Sequence, residues 1–364
     1  MILILLALFL WFLFFIWISY GLDKRPVDVE QNEIEQTVSV LVAVRNEQQN
    51  IAQLLKSLNG SIGLEQNLNV ILVDDSSSDE TVRTAKEAAS EMSRLEMTVL
   101  ESSVQGKKHA LKVGLEQVSS EWIYLTDADC EVGPTTIQRM IATCQSSGSK
   151  AVFGPVLIKG NTLFAGIERH EHLNNQVVSQ SLFSRGIPVM VNGANMLLHH
   201  SVLDLFGESL KNENVSGDDV FFATALPAED RAQCYSKDAA VITKANPSWS
   251  SHWNQRLRWL SKQQKQGTRA AMFSATLFCL SVLHLYTLGW MFLQEMWIWS
   301  ILYLGIRFLV ELSHHTIWFA RLNERVDLRH AILLSLIYPI YVLVMASASL
   351  VKPTFIWKGR TQRV

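Results

Sequence analysis

The sequence predicts an α/β domain, built on a mixed, mostly parallel sheet and flanked on both sides by transmembrane helices. Three observations carry this reading. Short β-rich runs alternate with segments of helical period between Thr37 and Thr126. Acidic residues stand at the ends of those runs, and apolar stretches fill the N-terminus and much of the chain beyond Ala271. The chain has 364 residues, 48% of them hydrophobic, and a mean hydropathy of +0.14. Soluble chains rarely average above zero, so part of this apolar surface must face lipid. A net charge of −2 offers no basic field for nucleic acid, which is excluded as a partner. Cys130, Cys144, Cys234 and Cys279 have no ligand-like spacing, which argues against a zinc site or disulfide framework and suits a reducing cytosol.

The first apolar stretch, 1–20, carries no charge. At about 1.5 Å per residue it reaches about 30 Å, enough to cross a bilayer. A cleaved signal peptide would start with basic residues and end at a small-residue site, and neither is present. Residues 1–22 are therefore expected to form an anchor. Asp23-Lys24-Arg25 follows directly, so the positive-inside rule places the next segment in the cytosol. Three further stretches, 271–293, 296–320 and 331–351, make a C-terminal membrane region of two to three segments over 271–351, after a basic linker at 262–269. Three crossings would put the basic tail 352–364 outside, against the same rule. Pro339 permits a kink or re-entrant hairpin, so two crossings plus a hairpin and a cytosolic tail are expected.

The middle segment reads as βαβ units. Residues 37–44 (TVSVLVAV) form a strand, and Ile51, Leu54, Leu55 and Leu58 trace one helix face that Asn59-Gly60 ends. A second strand, 69–73, closes in Asp74-Asp75-Ser76-Ser77-Ser78-Asp79 before a polar helix from Glu80. A third, 97–100, precedes a helix over 107–118, and a fourth, 122–126, ends at Asp127. Strands alternating with helices imply parallel pairing. Ligands in such sheets bind beyond the carboxyl ends of the strands. Glu47, Asp74 with Asp75, and Asp127 with Asp129 all fall at such ends.

No glycine-rich phosphate loop follows the first strand; Arg45-Asn46-Glu47 does. A dinucleotide fingerprint or P-loop is thereby disfavoured. A diphosphate would need another counter-charge, and Mg²⁺ or Mn²⁺ held by carboxylates is the natural one. Asp127 and Asp129, two apart at a strand end, can face one ligand where the chain turns. Asp74, Asp75 and Ser76 could equally cap the next helix, as could Asp218 the helix expected at 220–225. Gln255, Arg258 and Trp259 share a helix face, while Trp249, Trp253 and Arg256 would also suit a membrane surface. The pairs His170/His172, His199/His200 and His314/His315 lack a third ligand and read as structural; Cys130 reads as packing.

Taken in order, Val44-Arg45-Asn46-Glu47, Val73 to Asp79, Gly106-Lys107, Asp127-Ala128-Asp129, Gly217-Asp218-Asp219 and Gln255-Arg256-Leu257-Arg258-Trp259 resemble the inverting family 2 glycosyltransferases, which have the GT-A fold. The nearest likeness is to the ceramide-glucosyltransferase-like and carotenoid- or lipid-glycosyltransferase branch. The resemblance implies a catalytic domain over 36–265 that takes a nucleotide-sugar, a UDP-sugar by preference. It places Glu47, Asp74, Asp75 and Lys107 at the donor, Asp129 on the metal, and Asp127 on ribose or metal-bound water. It makes Asp219 the base, helped by Asp218, which is shorter than the glutamate many relatives carry. Gln255 and Arg258 then serve the leaving diphosphate, while Trp259, Gly193 and Asn195 serve the acceptor. The membrane segments imply a lipid or lipid-linked acceptor and residence in a bacterial inner membrane, with the catalytic domain cytosolic. Competing readings are a processive polysaccharide synthase, a silent membrane scaffold and a nucleotidyltransferase.

Overall fold

The computed structural model describes residues 1–22, 35–61, 67–211, 217–263, 266–351, 354–357 and 360–363. The chain divides into two units: an α/β unit of 25–159 and 190–245, and a helical unit of 1–24, 160–189 and 246–364. The catalytic segment expected as one block over 36–265 is thus split. Its parts at 160–189 and from Asn246 onward group with the apolar helices.

Helix α1 (Ile2–Tyr20) opens the helical unit, and the α/β unit begins at β1 (Val38–Val44). There follow α2 (Ile51–Asn59), β2 (Leu68–Asp74), α3 (Thr81–Ser90), β3 (Leu95–Glu101), α4 (Lys107–Leu115), β4 (Trp122–Thr126), β5 (Cys130–Val132), α5 (Thr136–Ser147), β6 (Ala151–Phe153) and β7 (Val156–Lys159). Helix α6 (Leu163–Phe183) belongs to the helical unit; the α/β unit resumes with β8 (Asn195–His199), α7 (Leu203–Ser209), α8 (Asp218–Ala225), β9 (Arg231–Gln233) and β10 (Val241–Lys244). Seven strands make one sheet in the order β3-β2-β1-β4-β8-β6-β9, in which β8 alone runs against its neighbours. The expected mixed, mostly parallel sheet is what forms. A smaller sheet, β5-β10-β7, lies apart from it.

The central strands β1, β2 and β4 are largely apolar because both sheet faces are covered there. Val40, Leu41 and Val42 are fully buried, and so are Ile51, Leu54 and Leu55 on the inward face of α2. Each such side chain contributes about 1.5–3 kcal/mol through burial. Gly114 lets α4 approach the sheet closely, since a Cβ there would collide with Leu41 and Val73. Helix α4 stops at Leu115, short of Val118, where the chain tightens into Gln117 N–H to Gly114 O and Val118 N–H to Leu115 O. Helix α3 starts at Thr81, so Asp74 and Asp75 do not cap it; Asp79 accepts from Thr81 N–H at 3.0 Å instead.

The helical unit continues with α9 (Trp249–Gln263), α10 (Thr268–Leu293), α11 (Trp297–Ala320) and α12 (Leu328–Val351), and closes in the hairpin β11 (Thr354–Trp357) and β12 (Arg360–Arg363). Among the described residues, α1, α10 and α12 are long and apolar enough to cross a membrane. Helix α1 packs on α10 and α11 through Ile4, Ala7, Trp11, Phe15 and Ile18, while Leu5, Phe9, Phe12 and Ile16 stay exposed. Such an apolar outer surface suits lipid.

One expectation for this region is corrected. The stretch 296–320 forms α11, which buries Arg307 and Glu311, whose Nη2 and Oε1 lie 2.8 Å apart. Helix α12 runs unbroken through Pro339, so no re-entrant hairpin forms there. Pro339 sits on the buried face, where packed neighbours keep the helix together despite the missing N–H. Within the basic tail, residues 354–357 and 360–363 pair as antiparallel strands, and Phe355 packs with Leu257 and Leu260 of α9. Asp23-Lys24-Arg25, Lys352, Lys358 and part of the linker 262–269 lie outside the described residues.

Candidate active site

In the α/β unit, the loops after β2, β3 and β4 are tied together by polar side chains. Asp74, the last residue of β2, accepts from Ser77 N–H at 3.1 Å and shapes the turn in which Ser76 takes a φ of 57°. Asp75 is 3% exposed; its Oδ1 accepts from Gly106 N–H at 2.6 Å, and its own N–H donates to Val44 O at 2.8 Å. Gly106 is required there, because its φ of +130° suits no side chain. One residue on, Lys107 Nζ meets Asp127 Oδ1 at 2.5 Å, linking the head of α4 to the end of β4. Both groups are part-exposed, so the pair is weak and screened and can yield to a competing anion.

Glu47 is buried at the end of β1; its N–H donates to Thr81 Oγ1 at 2.7 Å and its Oε2 accepts from Asn50 Nδ2 at 2.8 Å. Sequence reasoning missed Gly106, Ser77 and Thr81 as the groups that hold these acids. The only signal was their place in the two loops.

Asp129 is exposed and Asp127 part-exposed beyond β4, and carboxylate oxygens are the hard donors that a divalent ion prefers. No three His, Cys, Asp or Glu side chains converge on such an ion among the described residues. Two carboxylates with phosphate oxygens completing the shell are the usual arrangement for Mg²⁺ at nucleotide sites, so the donor set fits. Cys130 faces the core instead. Burial, together with the Asp129 and Asp127 charges, pushes its thiol well above the ordinary value, which removes it as a thiolate ligand.

Asp219 lies in the first turn of α8, 7% exposed. Its Oδ2 accepts from Gly193 N–H at 3.1 Å and its Oδ1 from Val220 N–H at 2.8 Å. The helix N-terminus favours the ionised carboxylate. Gly193 has little room for anything larger, since a Cβ would stand 3.2 Å from Asp219 Cβ. Asp218 makes no side-chain cap, contrary to the expected capping role.

Asn195 is placed differently from the sequence expectation. It is fully buried, accepts from Tyr124 OH at 3.0 Å and donates to Pro155 O and Ala239 O, both at 2.8 Å. Its amide stitches the two sheets together and is not available to an acceptor.

Gln255, Arg258 and Trp259 lie on α9 of the helical unit. That helix is bolted to α6 by buried carboxylates. Glu171 Oε2 accepts from Arg256 Nη2 at 2.6 Å, and His252 Nδ1 lies 3.3 Å from Glu168 Oε1. Burial alone would raise the Glu168 carboxyl, but hydrogen bonds from His252 and Asn246 hold it below the usual range. Trp249 and Trp253 are exposed, as a membrane-facing helix would have them, whereas Arg256 is buried rather than interfacial.

The class is defined first by residues 39–205, which match the family described as Glycosyl transferase family 2. Residues 39–205 therefore form a family 2 glycosyltransferase domain, and the chain is a glycosyltransferase. A glycosyltransferase of Haloferax volcanii, AglE, is 27% identical over 58% of this chain and 67% of its own length. The undecaprenyl-phosphate 4-deoxy-4-formamido-L-arabinose transferase of Proteus mirabilis is 32% identical over 30% of this chain, which spans about a third of that relative. A mannosyltransferase of Pyrobaculum calidifontis, solved with GDP-mannose and Mn²⁺, has a TM-score of 0.58 at 18% identity, covering 96% of each chain. That likeness is one of fold.

Proposed function

We propose that the chain transfers a sugar, with inversion, from a nucleotide-diphosphate donor to a membrane lipid or lipid-linked acceptor. The observation that carries this is the pairing of strand-end carboxylates, Asp75, Asp127 and Asp129, with a separately oriented carboxylate, Asp219, in one α/β unit. Asp75 and Asp74 are assigned to base or ribose, Glu47 supports their loop, and Lys107 turns from Asp127 to the diphosphate. Asp127 and Asp129 would hold Mg²⁺ or Mn²⁺; when bound, such an ion supplies electrostatic stabilisation of the leaving diphosphate. Gln255 and Arg258 are assigned to that same diphosphate, and Trp259 to the acceptor, from the family resemblance. Asp219 takes the acceptor proton, its orientation fixed by Gly193 N–H and with Asp218 beside it.

The name of the undecaprenyl-phosphate transferase supports a lipid-linked acceptor, while the ceramide-type branch suggested by the motifs has no support among the relatives' names. The same name also favours a second form of acceptor, a lipid phosphate. A phosphate monoester has its second pKa near about 6, so it is already anionic at neutrality and needs no base. Localisation to a bacterial inner membrane with the α/β unit in the cytosol completes the proposal.

The test is incubation of the purified full chain with a panel of nucleotide-sugars, Mn²⁺ and total membrane lipid, followed by mass spectrometry. One added sugar supports this reading. A ladder of products points to a processive synthase, pyrophosphate release to a nucleotidyltransferase, and no product with no UDP binding to a scaffold. Asp219→Asn then separates the acceptors: a hydroxyl acceptor should lose about 10²–10⁴-fold in kcat with donor binding kept. Near-normal turnover of the variant would sink the base assignment and leave the phosphate acceptor.

A further inference from the structure

The helix carrying the Gln255, Arg258 and Trp259 motif also carries a buried cation that no role above uses. Arg256 is 3% exposed, and its guanidinium touches Glu171, Gln255 and Trp259 as well as the Tyr341 hydroxyl of α12. Nη2 donates to Glu171 Oε2 at 2.6 Å, Nη1 donates to Gln255 Oε1 at 3.3 Å, and the guanidinium carbon lies 4.2 Å from the Trp259 ring centroid. A second clamp reaches Gln255 from the chain entering α9. Asn246 Nδ2 donates to Gln255 Oε1 at 3.1 Å and also to Glu168 Oε1, while Asn246 N–H donates to Glu168 Oε2 at 2.8 Å.

The chemistry of these contacts fixes an orientation. A guanidinium can only donate, so the Gln255 atom facing Arg256 must be the carbonyl oxygen. With Oε1 held by two donors, the amide nitrogen of Gln255 points the other way, as a donor. The flat guanidinium face stacked on Trp259 likewise limits the rotation of that ring. Glu171, with Tyr341 beside it, holds Arg256 where it reaches both.

We propose that Arg256 and Glu171 are positioning residues that preset Gln255 and Trp259 for transfer, with Asn246 and Glu168 as the second clamp on Gln255. This rests on the reading of Gln255, Arg258 and Trp259 as the motif that acts on the diphosphate and acceptor. The pair itself touches neither substrate; it acts through the motif side chains. Lysine at position 256 would keep the charge beside Glu171 but has neither a second planar N–H arm for Gln255 nor a flat face for Trp259.

The experiment compares Arg256→Lys, Glu171→Asp, Gln255→Ala, Arg258→Ala and the double variant Arg256→Lys/Gln255→Ala, all in the full chain. Turnover is measured with the nucleotide-sugar and lipid found by the panel, alongside UDP binding with Mn²⁺ and thermal midpoints. Arg256→Lys should lower kcat about 10- to 100-fold, as small misplacements of reacting groups do, with UDP affinity changed less than about threefold. The double variant should lose far less than the product of the two single losses, because both act through Gln255. Isotope-labelled tryptophan, with the Trp259 indole assigned by Trp259→Phe, gives a readout that needs no turnover. That resonance should move in Arg256→Lys and in Glu171→Asp while the other indoles stay.

Multiplying losses, or an unmoved Trp259 resonance, overturns the proposal. If Arg256→Lys fails to fold, Glu171→Asp carries the same comparison. Full activity of Arg258→Ala would instead overturn the motif's assignment, whereas an inactive Arg258→Ala beside a fully active Arg256→Lys overturns only the positioning role.

Discussion

The two units differ in what they expose and in the cations they bury. The α/β unit hides Val40, Leu54 and Leu72 and sets its acids on the strand ends. The helical unit leaves Leu5, Ile301 and Ile340 on the outside and hides Arg307, Glu311, Glu171 and Arg256 within. The difference teaches what the surroundings of each unit are. In water, burying apolar area drives folding and polar groups belong on the rim. Against lipid, apolar side chains gain nothing by going inward, so packing and internal polar contacts must hold the helices together.

That contrast can be broken most sharply at Arg307. Removing it as Arg307→Ala should cost about 3–5 kcal/mol, since Glu311 would keep a buried charge without its partner. Replacing both, as Arg307→Leu with Glu311→Leu, should cost much less, measured by thermal unfolding in detergent. Equal losses from the single and double changes would mean that the ion pair is not what organises α11. In the α/β unit the matching test is Leu54→Ala, expected to cost about 2–5 kcal/mol by leaving a cavity under α2. Denaturant titration of this unit's unfolding checks it, and a loss under half that range would show that the core relaxes around the gap.

A smaller effect is expected at the candidate site. Gly193→Ala puts a Cβ 3.2 Å from Asp219 Cβ and 3.5 Å from its Oδ2, so Asp219 must give by a few tenths of an ångström and its carboxylate shifts against its backbone donor. Turnover should fall about tenfold while the thermal midpoint hardly changes, because the shift is small and local. An unchanged kcat would remove Gly193 from the orientation of Asp219.

The smallest effect is a pH limb in the helical unit. Burial first, then the charges of His330 and Arg169, hold the His170 imidazole down to about 4 against an ordinary 6.5, with Asp327 opposing. The neutral ring is therefore the folded form. Its contribution is fully present above about pH 6.5 and is lost progressively as pH falls toward 4. His170→Gln should flatten that limb in stability-versus-pH curves; an identical acid profile would show that another group sets it.

The fold of the α/β unit was largely legible because its evidence is local. Continuous apolar strands, the Ile51, Leu54, Leu55, Leu58 stripe and acids at strand ends each depend only on neighbouring residues. The same holds for the aspartates at 75, 127, 129 and 219, whose positions at element ends follow from hydrophobic period and chain punctuation. Asn195 was misjudged because its burial depends on Tyr124, Pro155 and Ala239, residues far away in sequence.

The sequence by itself determined the βαβ alternation, the apolar helices and the acid-bearing strand ends, since periodicity and turn chemistry act over a few residues. Only the tertiary structure decided that 160–189 and α9 group with the apolar helices, that α12 passes straight through Pro339, and that Glu171 grips Arg256 against Gln255 and Trp259. A buried ion pair needs two helices to bring their polar stripes into register. That register is a property of packing, which no single stretch of sequence carries.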